Sequence, residues 1–207
     1  VMNQNNSLFH YFHYFVEYVN RCQFMLQQGK PVADVALYLP VEDCFAKDSM
    51  DQMPLNFRIR DHFATGPITG EFSLKNANLH HSNVIHSILQ TGYDFDGIDF
   101  WSIGQKARVV GRTLQCGDCN FKYLVIHKTR SIEARAMLKI NEFVMAGGYV
   151  LVTGFAPSEV RTSVDLSTEQ ILRAKRALKI LQREPGSKNQ SWHVGKGIVG
   201  FVEGEDE

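Results

Sequence analysis

The chain has 207 residues, 44% of them hydrophobic, enough to bury the core of one large domain with appendages. Its 22 basic and 22 acidic residues cancel, so no overall field draws it to nucleic acid or to an anionic membrane, and neither partner is expected. No apolar run approaches the roughly 18 residues of a membrane-spanning helix, and no charged segment followed by an apolar one opens the chain.

Ser7 to Gln28 reads as a helix whose first part is apolar nearly all round. Phe9, Tyr11, Phe12, Tyr14, Phe15, Val16, Tyr18 and Val19 leave only His10, His13 and Glu17 as polar breaks. A helix of this kind wants partners on two sides. Residues 1–29 are therefore expected to continue from a missing upstream domain, and 30–207 to form a single α/β domain. Phe9, Tyr11, Phe12, Tyr14, Phe15 and Tyr18 are the expected interface, with other domains of the parent chain or with a second copy of this one.

After Gly29, Val32 to Leu39 is a near-continuous apolar run closed by Pro40, which suits a strand buried in a parallel sheet. Val41 to Asn78 has no sustained period and reads as a loop with a short helix at most. Ala77-Asn78 opens a helix through Val84, Ile85, Ile88 and Leu89 that stops near Gly92. Tyr93 to Trp101 reads as a short strand, followed by a short helix to Ala107. Arg108–Leu114 and Asn120-Phe121 then flank Cys116-Gly117-Asp118-Cys119 as a hairpin. Lys122–His127 is a second buried strand, and Ser131 caps a helix that Gly147-Gly148 ends. Tyr149–Gly154 is a third strand, a helix is capped at Ser167 or Thr168, and Gly197–Val202 closes with a short strand. This rhythm predicts right-handed crossovers and an open, mostly parallel sheet with helices on both faces, of the α/β class, flavodoxin-like or related.

Four cysteines, Cys22, Cys44, Cys116 and Cys119, are too few and too unevenly placed to scaffold the fold. The Cys116/Cys119 spacing suits two thiolates of a zinc or redox site, but a second half-site is absent from the sequence, so an ordinary hairpin turn is expected and no metal. Asp94, Asp96 and Asp99 cluster around Gly97, yet the glycine falls too early for a calcium loop, which leaves carboxylates at a strand's exposed edge. His80, His81 and His86 read as surface residues of a helix. In sheets of this class ligands sit beyond the carboxyl ends of the strands. There the sequence offers Glu42 and Asp43 after the first strand, and Lys128 and Arg130 after the second. These four are the ligand-binding candidates, for a sugar or an anion. The loops carry neither a glycine-rich phosphate cradle, nor a nucleophile elbow, nor the strand-to-helix cysteine of a glutamine amidotransferase, and no cofactor is expected.

The run Tyr18-Val19-Asn20-Arg21-Cys22-Gln23-Phe24-Met25-Leu26-Gln27-Gln28-Gly29-Lys30-Pro31-Val32-Ala33-Asp34-Val35 resembles a segment of large bacterial glycoside hydrolases of the α-L-rhamnosidase type, family 106. Gly92–Asp99, Tyr123–Ile126, Phe143–Val150 and Gly195–Val199 are similar to the same proteins in the same order. The resemblance implies an accessory domain with a class I glutamine amidotransferase-like fold, lying after a catalytic barrel. It implies a parent enzyme acting on rhamnose-containing or related glycans, periplasmic or secreted. The catalytic carboxylates of that family belong to the barrel. No position here matches their motif, so no catalytic residue is expected in this chain. Two rivals stand beside this reading: a ligand-binding module, and a free-standing hydrolase with its site at the strand carboxyl ends.

Overall fold

The structure is a computed structural model that describes residues 7–41, 43, 83–162, 166–182 and 189–203. Glu42 and most of the Val41–Asn78 segment lie outside the described residues, as do His80, His81 and Cys44. The chain divides into two compact units, Val1–Pro31 and Val32–Glu207.

The first unit is helical. A 3-10 turn, Phe9–Tyr11, runs into α1, Phe12–Leu26. No side chain caps its start, and none of its residues is buried. Within the belt the Phe12 and Phe15 ring centroids are 5.9 Å apart.

The second unit is α/β, built on a six-stranded sheet. In chain order its elements are β1 (Val35–Leu39), α2 (Asn83–Gln90), β2 (Phe95–Asp99), a π-helical turn (Ser102–Lys106), β3 (Arg108–Val110), β4 (Thr113–Cys116) and β5 (Cys119–Phe121). There follow β6 (Tyr123–His127), β7 (Ser131–Glu133), α3 (Ala134–Ala146), β8 (Tyr149–Thr153), β9 (Glu159–Arg161), α4 (Thr168–Leu178), β10 (Asn189–Val194) and β11 (Gly197–Val202). The main sheet has the order β10-β11-β8-β6-β1-β2. All its pairs are parallel except β10 with β11.

Right-handed crossovers explain where the helices lie. From β1 the chain steps outward to β2, whereas from β6 it steps the other way, to β8 and then β11. Opposite steps with one handedness place the helices on opposite faces. α2 packs Val84 and Ile85 on Val35, Leu37 and Val125. α3 and α4 pack on the other face, where Met137, Ile140, Phe143, Val144, Ala174 and Leu178 join Ala36, Tyr38, Leu124, Ile126, Val150, Val152, Val199 and Phe201 in the main core. Strand alternation sorts these residues: odd positions of β1 and β6 face α2 and even ones face α3.

Three expectations from the sequence change here. The expected strand Arg108–Leu114 is two strands, because Gly111 adopts φ 59° and turns the chain; a second turn at Gly117, φ 60°, completes a three-stranded antiparallel meander. Ser131 does not cap a helix. It begins β7, which pairs with β9, and the cap of α3 is Glu133, whose carboxylate accepts from the Ala136 N–H at 2.9 Å. Three strands, β7, β9 and β10, are additional to those expected. β10, Asn-Gln-Ser-Trp-His-Val, has a polar composition and is held by its pairing to β11, while Trp192 Nε1 donates to the Ile180 carbonyl at 3.0 Å. At α4 the cap is Ser167, in a reciprocal capping box with Gln170.

One contact sets the spacing of α3 and β11. A Cβ on Gly197 would lie 2.3 Å from the Val144 carbonyl oxygen and 2.4 Å from that of Gly148. Both obstacles are backbone, so neither can swing away. Gly197→Ala is expected to destabilise the protein by about 1–3 kcal/mol, as overpacking does. Urea denaturation should show this as a lower midpoint at unchanged slope. An unchanged midpoint would mean that the helix end and the strand can separate freely.

Candidate functional site

The strand order reverses between β1 and β6, and the crevice at their carboxyl ends is where an open α/β sheet receives a ligand. Asp43, just beyond β1, reaches this crevice. Its Oδ2 accepts from the Arg130 N–H at 2.5 Å, its Oδ1 accepts from the Ser131 N–H at 3.1 Å, and the Ser131 hydroxyl donates to the same carboxylate. Donors that elsewhere meet a ligand anion are met here by the chain's own carboxylate.

The turn between β6 and β7 carries Lys128 at φ 42°, the one non-glycine residue with positive φ among the described residues. That conformation costs of the order of 1–3 kcal/mol and persists only where its surroundings enforce it. Here they do. The Lys128 N–H donates to the Thr153 carbonyl at 2.9 Å, and the fully buried Thr129 donates its hydroxyl to the His127 carbonyl at 3.0 Å. His127 Nδ1 and Thr153 Oγ1 are hydrogen-bonded at 2.7 Å across β6 and β8. The Lys128 side chain folds over Gly154, where a Cβ would meet its Cγ at 2.5 Å. Three of the four ligand-binding candidates, Asp43, Lys128 and Arg130, thus gather at one end of the sheet, Asp43 and Arg130 joined through backbone; the fourth, Glu42, is outside the described residues.

The aspartates around Gly97 serve their own backbone. Asp94 Oδ1 accepts from the Phe95 N–H, Asp96 Oδ1 from Gly97 N–H, both at 2.9 Å, and Asp99 Oδ1 from the Ser102 N–H at 2.7 Å. Among the described residues no group of three or more His, Cys, Asp or Glu side chains is arranged to hold a metal ion. The Cys116 and Cys119 residues face each other across the Gly117-Asp118 turn, and Cys119 Sγ lies 3.9 Å from Asp96 Oδ2. Burial, then the Asp99 and Asp96 carboxylates, push the Cys116 thiol above its ordinary pKa; burial and then Asp96 do the same to Cys119.

A second concavity was not anticipated from the sequence. It is an apolar slot of about 340 Å³ on the face of the sheet that carries α2, floored by Val125, Leu151, Ile198 and Gly200 and rimmed by Tyr93, Tyr123 and Tyr149. Tyr93 and Tyr123 pack edge to face at 5.5 Å, and Tyr123 and Tyr149 lie tilted at 5.6 Å. A hydrogen bond with Tyr93 raises the pKa of the Tyr123 phenol. The sequence signal was a tyrosine at or just before the start of three strands, beside Phe95, Leu124 and Val150. Its meaning required the register that lines those starts up.

No protein-family model matches the chain, and no curated protein matches it. A solved structure does: a rhamnosidase from Novosphingobium sp. PP1Y, with a TM-score of 0.56 and 20% sequence identity. The match covers 99% of this chain and 16% of the rhamnosidase, so the chain spans a small part of that protein. At this identity the likeness is one of fold.

Two outcomes follow from the site. Asp43→Ala leaves the Ser131 amide and hydroxyl without their charged acceptor and is expected to cost about 1.5–3 kcal/mol; hydrogen exchange at the Ser131 amide should accelerate, and unaltered exchange would show the clamp to be dispensable. The raised thiol pKa values mean less thiolate at neutral pH. Alkylation of Cys116 and Cys119 by iodoacetamide should therefore be slower than that of a free cysteine, with a pH midpoint displaced upward.

Proposed function

We propose that this chain is a non-catalytic accessory domain of a multidomain glycoside hydrolase acting on rhamnose-containing or related glycans. The observation that carries the reading is the match of nearly the whole chain to 16% of a rhamnosidase. The distributed resemblance of Tyr18–Val35 and the later segments to α-L-rhamnosidase-type enzymes agrees with it. In this reading the fold is flavodoxin-like and related to class I glutamine amidotransferases. The parallel strands, taken in chain order as β1, β2, β6, β8 and β11, lie in the spatial order 2-1-3-4-5, which supports it. The parent enzyme is periplasmic or secreted, and its catalytic carboxylates stand in another domain.

The role assigned to the domain is structural. Tyr11, Tyr14, Phe15 and Tyr18 are 58–66% exposed, joined by Phe9 at 36%, and this belt is the surface the parent's other domains cover. Burying each such ring is worth roughly 1.5–3 kcal/mol, so a neighbour that covers several gains a large contact energy. In the isolated chain, self-association through the same belt is the alternative cover. A second reading, an anion- or sugar-binding module, draws on Lys128, whose enforced φ of 42° stands at the crevice with Arg130 and Asp43.

The isolated chain is expected to hydrolyse no aryl-rhamnoside or other aryl-glycoside. Turnover abolished by Asp43→Asn or Glu42→Gln would instead establish a free-standing hydrolase. Sedimentation of the wild type beside a Tyr14→Gln, Tyr18→Gln double variant should show self-association weakened with the circular dichroism unchanged. Loss of the folded spectrum in the double variant would place those rings in the fold's own stability and remove the interface role.

A further inference from the structure

We propose that Cys116 and Cys119 form a modification site, a dithiol that a low-molecular-weight disulfide converts to an intramolecular disulfide across the β4–β5 turn. The register pairs the two residues directly, and directly opposed residues on adjacent strands share one face of the sheet. Opposed Cα atoms in an antiparallel pair are about 4.5–5.5 Å apart, inside the roughly 4.4–6.8 Å that a disulfide spans. The turn is a tight one, Gly117-Asp118 with Gly117 at φ 60°, and the register leaves the two cysteines directly opposed at its ends. Both thiols are free and partly exposed, so a small oxidant reaches them.

The neighbourhood favours oxidation over the other chemistry of a Cys-x-x-Cys pair. A zinc site needs a third and fourth ligand, and among the described residues no such group is assembled. Catalytic dithiols work through a lowered pKa, whereas both thiols here are raised by burial and by Asp96 and Asp99. The pair is therefore a slow, structural redox site. With glutathione disulfide the balance is direct. The thiol of one cysteine loses its proton to solvent, and the resulting thiolate attacks a glutathione sulfur, expelling one glutathione thiolate and forming a mixed disulfide. The second cysteine thiolate attacks the protein sulfur of that mixed disulfide and expels the other glutathione. Two protein thiols and one glutathione disulfide become one protein disulfide and two glutathione thiols. Because the second attack is within the turn, the mixed disulfide does not accumulate. Closure draws the Cys119 sulfur into the covalent link and away from Asp96 on β2, so its effect is on the meander and the edge strand, not on global stability; the closed loop is too short to constrain the unfolded chain much.

Trypsin releases both residues in one peptide, Thr113–Lys122, following Arg112 and ending at Lys122. The full chain is incubated with glutathione disulfide at mildly alkaline pH, alkylated with iodoacetamide and digested. The expected wild-type peptide is about 2 Da lighter than its dithiol form and unalkylated until reduced. Cys119→Ser, checked for folding by circular dichroism, should stop with one glutathione on Cys116. A wild-type peptide that keeps two alkylated thiols, or that ends with glutathione on either cysteine, overturns the proposal. So does one-to-one zinc in the purified protein that is lost on Cys116→Ser.

Discussion

The architecture depends on one constraint: a parallel sheet must be covered on both faces, and the hand of its crossovers decides which segment covers which face. The strand order turns about the β1–β6 pair, so the single crossover through α2 serves one face while α3 and α4 serve the other. The main core follows from this, with Phe143, Met137 and Ile140 of α3 fully buried against Leu124, Ile126, Val150 and Val152. The same constraint accounts for the uneven cover of the opposite face. There α2 shields Val35 and Leu37, while Tyr149 and Leu151 of β8 remain 39% and 37% exposed.

At the carboxyl ends of β1 and β6 the chain does what a ligand does in related sheets. The backbone donors of Arg130 and Ser131 converge, and Asp43 supplies the negative charge that they attract. This clamp ties the segment after β1 to the turn after β6. Backbone donors at this end of the sheet are thus satisfied from within the chain.

Two kinds of exposed aromatic surface occur in the protein, and they differ in origin. On α1 the rings follow one another in sequence, and no arrangement of a lone helix can bury them all. On the sheet, Tyr93, Tyr123 and Tyr149 are far apart in sequence and become a row only because three strands start at the same level. The first is a property of local composition, the second of register.

The sequence by itself determined the α/β class and the strands at Val35–Leu39, Tyr123–His127 and Tyr149–Thr153, because continuous apolar runs bounded by Pro40, by the Gly147-Gly148 pair and by Gly154 carry their own signal, although the last of these strands, expected to be buried, is covered on one face only. It also determined the exposed aromatic helix and the helix stop at Gly147, where φ reaches 114°. The tertiary structure decided the rest. Ser131 reads as a helix cap until Asp43, remote in sequence, takes its hydroxyl and leaves the capping to Glu133. β10 has too polar a composition to declare itself and is a strand because β11 offers an edge. Asp43 was legible as a residue beyond a strand end, but its partners were not. The tyrosine slot was invisible for the same reason. Local patterns report what one segment prefers, whereas clamps, edges and slots are made by the pairing of segments that only the folded chain brings side by side.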